Sequence, residues 1–158
     1  MRVTLAASAL MLALAAPVQG ADKYSWDFVR SGHEVQLSYG IPESEAVTII
    51  FRCEVKREGK QIEIVSTVLP AKPRKGQSVR TTLSNGAATA AYNGKFGYSS
   101  SSEGFYFEAS AAAEPKVVDI LKSGTSLTIS IPGKHERVPL RGVAGPLAKF
   151  EAACFRRR

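Results

Sequence analysis

The chain has 158 residues, with 21 Lys and Arg against 14 Asp and Glu, two histidines, two cysteines and a formal net charge of +7. That length fits one compact domain with an adequate core. Two histidines and two cysteines are poor material for a multi-ligand metal centre, and the positive balance favours anionic partners without fixing a fold.

Met1 and Arg2 precede an apolar run from Leu5 to Ala16, and Val18 and Gly20 are small residues suited to the positions just before a cleavage. The pattern predicts a secretory signal peptide over residues 1–20. It leaves a single domain, 21–158, bound for the periplasm or for secretion. The apolar run is shorter than the ~20 residues a spanning helix needs. A lone arginine precedes it where twin-arginine export uses a pair, and no cysteine near the cut offers lipid attachment.

Short stretches rich in β-branched and aromatic residues follow, separated by Gly, Pro, Asn and Ser, which is the pattern of an antiparallel sheet protein. "YSWDFV" and "EVQLSYG" alternate apolar and polar residues, and "IPES" interrupts them with a proline. "AVTIIFRCEV" is the most apolar stretch of the mature chain and predicts a central strand; beyond the turn "KREGK", "QIEIVSTVL" completes a hairpin. "PAKPRKG" reads as a loop. "QSVRTTL", the turn "SNG" and "AATAAYNGKFGY" make a second pair, which "GFYFEAS" extends past the serine run at 99–102.

"EPKVVDILKSG" predicts a short helix, with Pro115 in its first turn and Gly124 at its end. "TSLTISIPG" and "RVPL" read as the last strands. Leu140, Val143, Ala144, Leu147, Phe150 and Cys154 then recur at three- and four-residue spacing, giving one apolar helical face. Because Pro146 is tolerated only near a helix start, the regular helix is placed from Gly145 to Cys154. The predicted class is mainly β: an antiparallel β-sandwich with one short helix and a C-terminal amphipathic helix.

Cys53 falls in the central strand and Cys154 on the buried face of the last helix. In an exported chain the economical reading is a disulfide between them. A thiol nucleophile would need a paired base, and neither His33 nor His135 stands in a recognisable catalytic signature. "HEVQL" lacks the second histidine of the zinc-protease helix, no Gly-x-Ser-x-Gly turn exists, and "KSG" has no Ser-x-x-Lys partner. The residues therefore call for no metal and no cofactor.

Tyr92, Phe96, Tyr98, Phe105, Tyr106 and Phe107 form the aromatic group of the chain. Phe105 with Phe107, and Phe96 with Tyr98, share faces as cross-strand core pairs do. Tyr106 points the other way, so Tyr106 with Ser100 and Ser101 is the candidate ligand contact. Lys56, Arg57 and Lys60, then Lys72, Arg74 and Lys75, and finally Arg156, Arg157 and Arg158 are basic groups. The last three could touch an anionic membrane surface, at ~1 kcal/mol each. The carboxylates Glu43, Glu45, Glu103, Glu108 and Asp119 are available for hydrolytic chemistry, which needs two of them in one cleft, and the loops around Glu43–Glu45 or Ser99–Glu103 are the expected place for it. A small outer-membrane barrel would need ~10-residue strands with an outward apolar band, and these strands are shorter.

Trp26, "LSYGIPES", "IIFRC", "LKSG" before "LTISI", and "VPLRGVAGPLAKFEAAC" together resemble small periplasmic proteins of alphaproteobacteria. In the final third, Pro139, Leu140 and Gly142 ahead of the terminal helix are faintly similar to the invasion-associated locus B proteins. The resemblance implies an exported β-sandwich at the envelope, and it carries no catalytic residue set. The resulting expectation is a non-enzymatic binding or envelope-associated module that partners envelope components or another envelope protein and not nucleic acid. The alternative is a small envelope hydrolase, or an inhibitor of one.

Overall fold

The computed structural model describes residues 24–55, 61–114 and 116–155. The signal segment, the basic groups at 56–60 and 156–158, and Pro115 lie outside the described residues.

Among the described residues, nine strands and two helices follow in chain order. The strands are β1 (Ser25–Ser31), β2 (Glu34–Gly40), β3 (Val47–Glu54), β4 (Gln61–Ser66), β5 (Ser78–Ser84), β6 (Thr89–Ser99) and β7 (Gly104–Ala112), then α1 (Lys116–Lys122), β8 (Ser126–Ile131), β9 (Lys134–Pro139) and α2 (Ala144–Cys154). The mainly β, antiparallel class is as expected, and so are the short helix and the terminal helix. All nine strands pair in one antiparallel sheet of order β1-β2-β3-β4-β7-β6-β5-β8-β9.

The turns follow from backbone chemistry. Gly32 takes a positive φ of 59° in the two-residue link between β1 and β2, a conformation that side chains resist. Pro132 and Gly133, the latter at φ 79°, link β8 to β9 in the same economical way. This tight turn starts β9 at Lys134, earlier than the stretch "RVPL" implies, because the added residues are charged and show no alternation. Lys134, His135, Glu136 and Arg137 are all exposed, as suits an edge strand that must not recruit another chain.

The inner face of the sheet builds the core. Phe51, Phe96, Phe107 and Phe150 are fully buried, as are Leu37, Ile49, Ile62 and Ile64. Helix α1 buries Val117, Val118, Ile120 and Leu121. Its C-terminal end is held by Asn85 of the β5–β6 turn, whose Nδ2 donates to the carbonyl oxygens of Ile120 and Ser123 at 2.9 Å each. Helix α2 buries Leu147, Phe150 and Cys154 and packs on β1 and β2. Pro146 stands in its first turn, where the missing N–H costs nothing.

Cys53 and Cys154 form the predicted disulfide, with Cα atoms 6.2 Å apart. A second tie joins the ends of the strand order, because Trp26 Nε1 on β1 donates to the Pro139 carbonyl on β9 at 2.7 Å. The sheet therefore curls until its two edges come within reach of one side chain.

Candidate functional site

The candidate site arises where two strands that pair at one end part at the other. The β6–β7 ladder runs from Ser99↔Gly104 to Lys95↔Glu108 and stops there. Beyond it, β7 continues to Ala112 against β4 alone, and β6 continues back to Thr89 against β5 alone. The sheet forks, and a cleft of about 660 Å³ opens over the fork.

Its polar wall comes from four strands: Glu63 on β4, Arg80 on β5, Asn93 and Lys95 on β6, and Glu108 and Ser110 on β7. These side chains share the outer face because their neighbours Ile62, Ile64, Phe96, Phe107 and Ala109 point into the core. Gly94 marks the apex of the fork. A β-carbon there would meet the Glu108 carbonyl oxygen and come within 2.7 Å of Phe107 Cζ, so only glycine lets the strands approach this closely.

Charges in the cleft are largely paired. Lys95 Nζ lies 3.4 Å from Glu108 Oε1, and Arg52 Nη1 donates to Glu63 Oε2 at 3.0 Å while its Nε stands 3.2 Å from Glu34 Oε1. Gln61 Oε1 accepts from Ser110 Oγ at 3.0 Å. Arg80 is exposed and has no ion-pair partner among the described residues. Glu63 pairs across the ladder with Ser110, which puts Glu63 and Glu108 on one diagonal, roughly 7–8 Å apart at the backbone. On the inner side of the fork, burial and the nearby Glu114 carboxylate hold the Tyr92 hydroxyl above its ordinary pKa of 10.0.

The residues singled out in the sequence fall around this cleft rather than in it. Tyr106 is on the same outer face, one step along β7 from Glu108, with its ring laid over Gly97. Ser100 and Ser101 are exposed in the β6–β7 turn, where Ser101 Oγ and Ser99 Oγ are 2.9 Å apart. Glu43 and Glu103 occupy different turns with left-handed backbones, φ 58° and 49°, and Glu45 is exposed beside Glu43.

Of the aromatic group, Phe96 and Phe107 pair directly across the ladder and are buried. Tyr98, by contrast, is 43% exposed, stacked edge-on with Phe105 at 5.1 Å, because the hairpin end projects past the core. Arg156, Arg157 and Arg158 lie outside the described residues.

Sequence reasoning missed Glu63, Arg80, Asn93 and Lys95, and it named Glu108 only as one of several available carboxylates. The available signal was the pair of alanine-rich stretches "GAATAA" and "ASAAA", which have low strand propensity and flank the fork. Among the described residues no group of three or more His, Cys, Asp or Glu could hold a metal ion. No described helix is long and apolar enough to cross a membrane. No protein-family model, curated protein or solved structure matches the chain.

Proposed function

We propose that this chain is a non-enzymatic, exported module of the periplasm or cell envelope that holds its ligand in the cleft over the β6–β7 fork. The observation that carries the reading is the pairing of the cleft's carboxylates. Glu108 and Glu63 are each engaged by a cation, Lys95 and Arg52, which fixes them as contact surface. Export is supported by the leader pattern in the sequence and by a disulfide that an oxidising compartment preserves. The sequence resemblance to small periplasmic proteins of alphaproteobacteria points the same way.

The test is retention of envelope polysaccharide, lipopolysaccharide or envelope proteins by the immobilised oxidised protein. Retention of one class is expected, with loss in the Arg80→Glu, Lys95→Glu double variant. If none is retained and one of them is hydrolysed, the reading fails.

A second reading is favoured by one observation: the two carboxylates that share the cleft. A small hydrolase would use Glu63 and Glu108 as its acidic pair, in place of the loop carboxylates. Glu63→Gln and Glu108→Gln would then abolish turnover of envelope glycans while leaving the fold intact.

A further inference from the structure

The main-chain groups of the fork point to a ligand class. Along a strand in an antiparallel ladder, successive residues direct N–H and C=O to opposite sides, so one known bond fixes the direction of all the others. Thr67 N donates to the Thr48 carbonyl, toward β3, so Ser66, Ile64 and Ile62 address β7. Their partners Phe107, Ala109 and Ala111 face back to β4, and Ser110 and Ala112 therefore present their amides to the fork.

The opposite wall is fixed independently. Phe96 N donates to the Gln77 carbonyl and the Phe96 carbonyl accepts from Gly76 N, both on the β5 side. Gly94, Tyr92 and Ala90 then bond β5, leaving Asn93 and Ala91 directed at the fork. Had the ladder continued, Asn93 would face Ser110. Instead the β6–β7 ladder ends at Lys95↔Glu108, and neither Asn93 nor Ser110 has a ladder partner across the fork. The Ala112 carbonyl accepts from Glu114 N at 2.8 Å.

We infer that the fork receives an extended peptide segment carrying an acidic side chain, which pairs main chain to main chain with Ser110 on β7 or Asn93 on β6 and sets its carboxylate on Arg80. The inference rests on the binding-module reading and names the ligand of the same cleft. Three features carry it. Unpaired strand edges are templates for an added strand. Small residues flank the opening, Gly94 and Ala109 lining the cleft and Ala91 and Ala112 continuing the two strands beyond it, and neither strand carries a proline there. Arg80, beside Asn93 across the β5–β6 ladder, is the cleft cation left without an ion pair among the described residues.

The experiment selects short peptides from a random displayed library on the oxidised protein, then titrates a selected synthetic peptide into isotope-labelled protein. Selected sequences should carry Asp or Glu. The amides of Ala91, Asn93, Ser110 and Ala112 should shift and become protected from exchange. N-methylation of alternate peptide amides should weaken binding about tenfold per lost hydrogen bond, and Arg80→Glu should weaken it by a similar factor.

Ser110→Pro deletes an amide that serves the fork and not the β4–β7 ladder, so it should reduce affinity with an unchanged far-ultraviolet spectrum. If that variant misfolds, the N-methylated peptide decides on the unaltered protein. Peptides that bind without sensitivity to N-methylation, or that shift amides elsewhere, overturn the inference. An envelope glycan shifting the cleft amides where no peptide does overturns the inference and leaves the binding module standing. A cleft that responds to no ligand of any class ends both.

Discussion

Tyr92 lies on the inner side of the fork, where its hydroxyl is half-buried near Glu114 and is held above the ordinary tyrosine pKa, first by burial and then by that carboxylate. Unfolding releases the group to its ordinary value of 10.0. Its contribution to stability is therefore complete below about that pH, and is lost as pH rises from there through the raised value. Tyr92→Phe removes the proton. Urea unfolding of the variant should show a flatter decline in stability above the ordinary tyrosine range than the parent, with the two curves parallel near neutrality. Identical alkaline slopes would place the decline elsewhere.

The fork itself is a property of β6 and β7 together. Replacing a strand glycine usually helps, because alanine loses less backbone entropy on ordering. At Gly94 packing wins instead. The added methyl meets the Glu108 carbonyl oxygen and the Phe107 ring, neither of which is the free end of a flexible chain. Gly94→Ala is expected to lower stability by ~1–3 kcal/mol, the usual cost of overpacking, read as a lower urea midpoint. It should also broaden the amide resonances of β6 and β7 around the apex while leaving β1 to β3 unchanged. A variant as stable as the parent would mean that the apex is looser than these contacts imply.

At the largest scale, the described fold is closed by the Cys53–Cys154 disulfide and the Trp26–Pro139 hydrogen bond. Helix α2 depends on the first. It begins at Val143 with no side-chain cap, and it is otherwise held by its buried Leu147 and Phe150 and by the exposed Lys122–Glu151 ion pair, at 2.8 Å. The disulfide spans 101 positions. In the chain-entropy model a loop of that size is stabilised by ~4–5 kcal/mol, against a total of ~5–15 kcal/mol for a typical domain. The Cys53→Ala, Cys154→Ala double variant should therefore unfold at much lower urea, and the same shift should follow reduction of the parent. Amide exchange should accelerate first in α2.

Much of this arrangement was legible along the chain. Alternation in "EVQLSYG" and "QIEIVS" marked buried faces because a sheet's side-chain period of two is a local rule. Helix α2 could be placed to within a residue of its start from apolar spacing and from Pro146. The cysteine pairing followed from there being two cysteines, one in the predicted central strand and one on the apolar face of the last helix. The cleft was not legible, since Glu63, Arg80, Asn93, Lys95 and Glu108 stand on four strands and meet only through ladder register. A fork also leaves no local pattern beyond a surplus of alanine. The chain by itself determined the strands, the helices and their covalent tie, because these answer to periodicity, turn chemistry and the presence of a single pair of cysteines. Only the tertiary structure decided where two paired strands part and which main-chain groups are left facing each other, because pairing between strands distant in sequence is settled by packing across the core.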